Sequence, residues 1–293
     1  MEHYRQIGWV DEYVKAIAPF IHVREADSLV IKIPNEAYKV NMQGLKVLKH
    51  LLAGRSARTI VDAYPDKEKV AEDIHNFFCD LKALLKGCYR EGQPRKAVEE
   101  KTFALPFNTL PVLSEIAVTY RCNLACRFCY ASCGCRKDSS SREVSTRSMK
   151  RIIAMIRQEA EVPSVSFTGG EPLLRRDLPD LIRFAKKRKM WTNLITNATL
   201  ADPRRVRQLK AAGLDSAQVS LEAADAALHD RIVQRNGAFL ATKAGLMNIK
   251  AAGIRVHTNT TISALNKDRL YEIVDLIAAW GLDKLSMNML MPA

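Results

Sequence analysis

The chain has 293 residues, of which 47% are hydrophobic and 26% are charged, a composition typical of a globular protein with one large domain or two smaller ones. It has no run of about 18 apolar residues, which excludes a membrane span, and its polar start, MEHYRQIGWVDEYVK, excludes a secretory signal. We therefore expect a cytoplasmic protein without a membrane partner. Its net charge of +13 indicates either a solvated surface or an anionic partner.

The first hundred residues predict a small α+β unit. Three short β-prone runs lie in PFIHVREADSLVIKIPNEAYKVNM, separated by READ and PNEA. Helical patterns follow over 43–54, 56–65 and 66–87, the last with an N-cap near Asp66. Three strands and then three helices indicate a winged-helix-like fold. Cys79 lies at the edge of the third helix's apolar stripe and is interpreted as a packing thiol.

Past a charged, proline-broken linker, the chain alternates between strands and helices. Apolar runs at 113–120, 164–168, 192–196, 216–221, 254–262 and 284–290 are separated by helical patterns. This alternation predicts right-handed βαβ units and a parallel sheet. Six units are compatible with a doubly wound sheet or with a partial barrel. In either case, loops at the carboxyl ends of the strands form the site.

Five cysteines lie within RCNLACRFCYASCGCRK, residues 121–137. In a reducing compartment, clustered cysteines usually bind metal and seldom form disulfides. Cys122, Cys126 and Cys129 form C-x3-C-x2-C directly after the first strand of the predicted sheet. A structural zinc site needs four ligands, and Cys133 or Cys135 could supply the fourth. Alternatively, three thiolates on a [4Fe–4S] cluster would leave one iron open to a small molecule.

The three-cysteine pattern, with an aromatic residue before the last cysteine, resembles the radical S-adenosylmethionine (SAM) superfamily over about residues 114–291. The resemblance implies that Cys122, Cys126 and Cys129 bind a [4Fe–4S] cluster and that Phe128 packs by the adenine of SAM. The open iron would chelate the methionine moiety, and an electron from the cluster would release a 5′-deoxyadenosyl radical. Cys133 and Cys135 lie outside the pattern, and their role stays open.

Two further strand ends carry motifs that match this family. SFTGGEP ends the second strand of the sheet and resembles the G-G-E-P motif that holds the amino group of SAM, which assigns cofactor binding to Gly169, Gly170 and Glu171. TNATL and QVSLEAADAALHD resemble the third and fourth strand ends of peptide-modifying members, which assigns Ser220 and Glu222 to the cofactor. Glu222 replaces the usual Asp there. The usual arginine position is Val233, so the choice between Arg231 and Arg235 stays open.

The N-terminal unit resembles the peptide chaperone of pyrroloquinoline quinone biosynthesis over roughly residues 20–87. That fold recurs as the leader-recognition element of ribosomally made, post-translationally modified peptides, so the resemblance implies a precursor peptide as partner. We expect the peptide to add as a strand to an open sheet edge at about residues 37–42, with Val40 as one of the backbone donors. Winged helices also bind DNA, but this region lacks a dense run of basic residues, which disfavours nucleic acid.

The family resemblance implies a partial (β/α)6 TIM-like barrel over residues 101–293, preceded by the winged-helix-like domain and linker over residues 1–100. The expected function is radical SAM modification of a precursor peptide by cross-linking, epimerisation or a similar reaction, with ferredoxin or flavodoxin as electron donor. One alternative is a radical SAM enzyme acting on a small molecule, such as a haem-pathway decarboxylase. The other is a zinc-containing peptide- or nucleic-acid-binding protein.

Peptide-modifying members usually carry a cysteine-rich C-terminal extension that holds auxiliary clusters. The sequence ends at MNMLMPA, just past the sixth predicted strand. The sequence leaves open whether this chain is a truncated form of an enzyme that has the extension or whether the enzyme itself lacks it. If the extension is missing from this chain, the resemblance leaves room for auxiliary iron–sulfur clusters in it.

Overall fold

The structure is a computed structural model that describes residues 2–88, 97, 108–131 and 143–290. The chain divides into two compact units, Met1–Val112 and Leu113–Ala293. Among the described residues, no helix has both the length and the apolar composition that a membrane span requires. Cys133 and Cys135 lie outside the described residues.

The N-terminal unit contains a three-stranded antiparallel sheet and five α-helices among its described residues. The strands, paired in the order β1-β2-β3, are β1 (Ile21–Arg24), β2 (Leu29–Lys32) and β3 (Glu36–Lys39). The helices are α1 (Glu2–Ile7), α2 (Val10–Ile17), α3 (Met42–Leu52), α4 (Ala57–Asp62) and α5 (Lys67–Leu85). The three predicted strands and the last three helices are confirmed, whereas α1 and α2 were not predicted from the sequence.

Side-chain caps fix where the three predicted helices begin. The side-chain oxygens of Asn41, Ser56 and Asp66 each accept a hydrogen bond from the backbone N–H three residues later. Each cap satisfies one of the donors that a helix start leaves without an intrahelical partner. The expected N-cap near Asp66 is therefore confirmed.

The register of this sheet decides which backbone groups face outward. Val40 N donates to Ser28 O at 3.0 Å, next to the β2–β3 ladder in which Leu29 pairs with Lys39. Bonded and non-bonded pairs alternate in an antiparallel ladder. The N–H of Val40 therefore points inward, and the backbone groups of Ala37 point outward. The interpretation of Val40 as an edge donor was wrong, and β3 ends at Lys39. The sheet also has a second edge, at β1.

The second unit contains a six-stranded parallel sheet. Its strands are β4 (Glu115–Thr119), β5 (Ser164–Gly169), β6 (Trp191–Thr196), β7 (Ser216–Ser220), β8 (Arg255–Ile262) and β9 (Leu285–Met289). Its helices are α6 (Thr146–Gln158), α7 (Leu178–Lys186), α8 (Pro203–Ala212), α9 (Ala226–Val233), α10 (Ala238–Ala251) and α11 (Leu270–Ala279). All six predicted strands are confirmed.

The strands pair in sequence order, from β4 to β9, which decides between the two predicted architectures. A doubly wound sheet would reverse its strand order partway. With right-handed crossovers and no reversal, every connecting helix returns on the same side of the sheet. The helix-covered face holds the apolar core, in which Val165, Phe167 and Leu194 pack with helix residues such as Ile153 and Leu181. The fold is therefore a partial TIM-like barrel, as the sequence predicted.

Candidate functional site

The candidate site residues meet at one edge of the parallel sheet. The three cysteines follow β4, Gly170 and Glu171 follow β5, and Ser220 is the last residue of β7. Because parallel strands share a direction, their carboxyl ends lie at the same edge, where α/β folds place their sites. The fold thus brings the sequence-predicted motifs together.

Backbone contacts hold the cysteine loop against the end of α9. Ala125 N donates to Val233 O and Arg127 N donates to Ile232 O, both at 3.1 Å. Leu124 is buried with Val233, and Cys122 and Cys126 pack against this small cluster. Val233, at the position where the family motif has an arginine, therefore serves to anchor the loop.

The three thiols are half-buried, and Cys129 lies close enough to Cys122 and Cys126 to add to the pKa shifts of those two. Burial raises the pKa of Cys122 and raises that of Cys126 to about 12, and the nearby Glu222 carboxylate adds to the second shift. Neutral thiols are favoured there because no described cation offsets the burial of either group, whereas metal binds the thiolate. A cationic metal centre would supply the missing positive charge, so this donor set fits a metal group. Among the described residues, no three Cys, His, Asp or Glu side chains already surround one metal-ion position.

Asn197 and Arg235 hold the loop from outside it, through contacts to Asn123. Sequence reasoning missed the two asparagines, whereas it named Arg235 as one of two candidate arginines. Asn197 Nδ2 donates to Asn123 Oδ1 at 3.0 Å, and Asn123 Nδ2 donates to Thr199 Oγ1 at 2.8 Å. Arg235 Nη1 donates to Asn123 O at 2.9 Å. The signal was present in the sequence, since TNATL stands at the end of β6 and Arg235 follows α9. Of the two candidate arginines, Arg235 is therefore the one that touches the cysteine loop.

The glycines of GGEP allow two strand ends to touch. Gly169 has a φ of +135°, and a Cβ added there would lie 2.1 Å from Thr119 O. A Cβ on Gly170 would lie 2.2 Å from Arg121 O. The N–H groups of Gly170 and Glu171 donate to those two carbonyls at 2.8 Å. The glycines are needed because a side chain would separate the end of β5 from the start of the cysteine loop.

Glu171 is fully buried, and its carboxylate is held by the protein itself. Oε1 accepts from Leu173 N at 2.9 Å and from Thr196 Oγ1 at 2.7 Å, and Oε2 accepts from Asn197 N at 2.9 Å. Burial raises the pKa of Glu171, and these hydrogen bonds oppose that rise. A carboxylate has about four acceptor positions, so about one remains for a ligand.

Glu222 is the second buried carboxyl at this edge. It is 2% exposed, and its Oε2 accepts from Thr261 N at 2.9 Å. Burial raises the pKa of Glu222 to about 8, against the effect of that one hydrogen bond. Its backbone N–H donates to Nδ1 of the buried His229 at 3.2 Å. Phe128 packs near this strand end, against Ala223, Leu228 and Ile232.

Comparison with known proteins agrees with this geometry. The family model of the Radical SAM superfamily matches residues 116–277, which is more than half of the chain. The chain is 31% identical over 180 residues to a PqqA peptide cyclase of Xanthomonas campestris, covering 61% of this chain and 46% of the relative. It is 32% identical over 159 residues to an AdoMet-dependent heme synthase of Nitratidesulfovibrio vulgaris, covering 54% of this chain and 42% of the relative. The chain thus spans less than half the length of these curated relatives.

Among solved structures, Streptococcus suis SuiB bound to S-adenosylmethionine has a similar fold. The TM-score is 0.63 at 16% sequence identity, and the similarity covers 94% of this chain and 62% of that chain. SuiB bound to its precursor peptide SuiA gives a TM-score of 0.60, again at 16% identity, covering 93% of this chain and 62% of that chain. At these identities the likeness concerns the fold alone. It extends over both units of this chain.

Proposed function

The chain belongs to the radical SAM superfamily of enzymes, and from that premise we propose that it modifies a ribosomally made precursor peptide. When bound, the superfamily's [4Fe–4S] cluster and SAM supply a low-potential electron and a 5′-deoxyadenosyl radical. The observation that supports the assignment best is the placement of three half-buried thiols on a loop at the carboxyl edge of the partial barrel. A reducing cytoplasm, with ferredoxin or flavodoxin as electron donor, suits such a site.

The residues of the edge divide into two proposed roles. Cys122, Cys126 and Cys129 would hold the cluster, since thiolates are its usual ligands. A second group would hold SAM: the remaining acceptor position of Glu171 suits its amino group, and Phe128 offers an apolar surface near the strand end for the adenine. The other members of this group are Gly169, Gly170, Ser220 and Glu222.

Iron and sulfide analysis tests the metal assignment. Anaerobically reconstituted protein should hold about four iron and four sulfide at this site, and it should slowly release 5′-deoxyadenosine with SAM and dithionite. Replacing Cys122, Cys126 and Cys129 by Ala should abolish both, whereas Cys79→Ala in the N-terminal unit should change neither. Zinc bound in place of iron, or a cluster that survives the triple substitution, would refute the assignment.

The peptide substrate is supported by the N-terminal unit as well as by the similarity to a PqqA peptide cyclase. Residues 1–100 are proposed to form the leader-recognition domain with its linker, and residues 101–293 the barrel that carries the chemistry. The outward backbone groups of Ala37 on β3 offer a sheet edge to an extended peptide. Because proline is tolerated at an edge position whose N–H faces solvent, Ala37→Pro should remove the outward donor without breaking the ladder.

A matched pair of prolines tests this edge. Phe20 O accepts from Ile33 N at 2.9 Å, so by the same alternation the N–H of Val23 faces outward on the opposite edge, at β1. With the precursor peptide encoded beside the gene as substrate, Ala37→Pro should reduce processing at least about tenfold, whereas Val23→Pro should retain it. Normal processing by a folded Ala37→Pro variant would count against leader binding at β3.

A small-molecule substrate is the second candidate. It is favoured by the similarity to the heme synthase and by 36% identity over 161 residues to an Fe-coproporphyrin III synthase of Methanosarcina barkeri, covering 55% of this chain and 39% of the relative. Turnover of an iron porphyrin without any peptide would establish this alternative. Turnover of the precursor peptide alone would exclude it.

A further inference from the structure

The face of the six-stranded sheet opposite the helices is unusually polar. Barrel interiors are normally filled with branched apolar side chains. Here alternation along the strands turns a set of amide, hydroxyl and imidazole groups to this inner face. The set comprises Ser166, Asn193, Ser216, Gln218, Ser220, His257, Asn259, Thr261, Ser286 and Asn288.

Hydrogen bonds between neighbouring strands hold several of these side chains in place. Ser216 Oγ donates to Asn193 Oδ1 at 2.8 Å, and Asn193 Nδ2 donates to Ser166 Oγ at 3.2 Å. The His257 Nε2 and Gln218 Oε1 atoms are 3.2 Å apart. Asn288 Nδ2 donates to Asn259 Oδ1 at 2.8 Å. These bonds leave the inner face pre-organised, which lowers the entropy cost of binding a ligand.

Two amide groups keep their donors available near the carboxyl edge. Gln218 and Asn259 each use the carbonyl oxygen in the bonds just described, and the amide nitrogen of neither bonds to another described residue. The two residues occupy successive levels of the sheet, since Gln218 pairs with His257 and Ser220 pairs with Asn259. The amide oxygen of Asn288 adds an acceptor beside them. Amide donors and acceptors in this arrangement complement a peptide group or an uncharged polar side chain.

The charged residues of the strands themselves lie away from the carboxyl edge, where the buried Glu171 and Glu222 follow β5 and β7. Glu115 and Arg255, the only charged strand residues that point inward among those described, both lie toward the amino ends of their strands. The Arg255 guanidinium is 4.6 Å from the centre of the Trp191 ring. Burial and the nearby Lys284 lower the pKa of His257, so its imidazole is neutral at pH 7. A carboxylate placed beside Gln218 and Asn259 would lose hydration while touching only uncharged amide, hydroxyl and imidazole groups, which is unfavourable. Lys284 is exposed just before the start of β9, and Arg255 lies at the start of β8.

We propose that Gln218, His257, Asn259 and Asn288 form the substrate subsite of the barrel, and that it selects an uncharged peptide segment bearing an amide or hydroxyl group. Carboxylate-bearing segments and tetracarboxylate macrocycles are rejected. The inference rests on the proposed function, because it names the substrate class of the same site.

The test uses two sets of capped octapeptides that are identical except at one central position. One set carries Asn, Gln, Ser or Thr there, and the other carries Asp or Glu; coproporphyrin III is the tetracarboxylate probe. Binding to the reconstituted full chain is measured as a thermal shift, and stimulation of 5′-deoxyadenosine release is measured separately. The neutral set should bind at least about tenfold more tightly than the acidic set and should be the only probe that stimulates release.

Substitutions of single residues test which side chains produce the preference for neutral peptides. Gln218→Ala and Asn259→Ala should each weaken binding of the neutral set about tenfold, the loss expected for one hydrogen bond to a buried ligand. Gln208→Ala, on the exposed surface of α8, is the matched control and should have no effect. Gln218→Arg should transfer the preference to the acidic set, a gain that misfolding cannot produce.

The outcomes separate this inference from the proposed function. Equal or tighter binding of the acidic set, or no binding of the neutral set, overturns the subsite while leaving peptide modification intact. Stimulation by coproporphyrin III alone overturns both. Selective binding of the neutral set without any 5′-deoxyadenosine release supports the subsite and refutes the proposed chemistry.

Discussion

Asp27 in the N-terminal unit and Glu171 and Glu222 in the barrel unit are buried in opposite ways. In the N-terminal unit, Asp27 is buried against Arg24, whose guanidinium donates to both carboxylate oxygens at 2.9 and 2.8 Å. In the barrel unit, Glu171 and Glu222 are buried with hydrogen-bond donors but without a paired cation among the described residues.

The pKa shifts follow the same division. Burial alone would raise the pKa of Asp27, but the Arg24 hydrogen bonds and charge, with backbone donors from Thr109 and Leu110, hold it below its usual value. The pKa values of Glu171 and Glu222 are raised by burial. Removing one partner of a buried ion pair is strongly destabilising, whereas a buried carboxyl without a paired cation is a candidate for a functional site. The contrast therefore distinguishes Asp27, whose partner Arg24 belongs to the fold, from Glu171 and Glu222, which lie in the candidate site.

The largest expected effect is at the structural pair. Arg24→Met would leave the Asp27 carboxylate buried without its partner and would also remove the donors to Leu110 O and Pro111 O. We expect a loss of about 3–5 kcal/mol in the free energy of unfolding of the N-terminal unit. Urea denaturation followed by circular dichroism would measure it.

Adding Asp27→Asn to Arg24→Met makes this prediction sharper. The double variant removes the buried charge but keeps an acceptor for Thr109 N, which donates to Asp27 Oδ2 at 3.1 Å. It should recover part of the lost stability. If Arg24→Met is as stable as wild type, the Arg24–Asp27 pair does not stabilise the N-terminal unit.

A smaller effect is expected at Glu171. In Glu171→Gln, an amide N–H2 would replace one oxygen and leave Asn197 N or Thr196 Oγ1 facing a donor. The barrel unit should lose about 1–3 kcal/mol in the free energy of unfolding, and SAM affinity should fall while iron content is retained. The exposed Glu159→Gln on the outer surface is the control. Unchanged SAM affinity in Glu171→Gln would limit Glu171 to a role in the fold.

The sequence predicted more of the barrel than of the N-terminal unit because the parallel strands carry two independent signals. Each of the six is an apolar run of suitable length, and several end in a motif with polar or glycine residues. The carboxyl edge then follows from topology without knowledge of contacts. The cap at Asp66 was likewise expected from its local pattern, whereas the caps at Asn41 and Ser56 were found only in the structure.

What the sequence could not predict depends on register and on distant partners. The inward direction of Val40 follows from its pairing with Ser28, which is set by the geometry of the intervening turn. Two of the three partners of Glu171 come from 25 and 26 residues farther along the chain. The polar alternation of Asn193 or Gln218 is visible in the sequence, but it does not reveal which face the helices cover.

The smallest effect is a pH dependence that should separate the two units. Glu222 has a raised pKa of about 8, against an ordinary value near 4.3 when unfolded. Between these values the folded state holds a proton that the unfolded state has released, so stability falls as the pH rises. Asp27 has the opposite shift, and its contribution is lost only as the pH falls through its lowered pKa.

Glu222 dominates the window from pH 7 to 8, because the raised pKa values of Cys122 and Cys126 add only the small fraction of unfolded thiols that ionise there. The pKa of the nearby buried His229 is lowered to about 4, so His229 is largely neutral in both states above pH 7. In protein without cluster or SAM, the barrel transition should weaken by about 1 kcal/mol over this window, and Glu222→Gln should remove most of the slope. The N-terminal transition should stay nearly constant in both proteins, because Asp27 is ionised in its folded and unfolded states alike. An equal slope in wild type and Glu222→Gln would mean that Glu222 is already ionised, and the contrast between the two units would then depend on Glu171 alone.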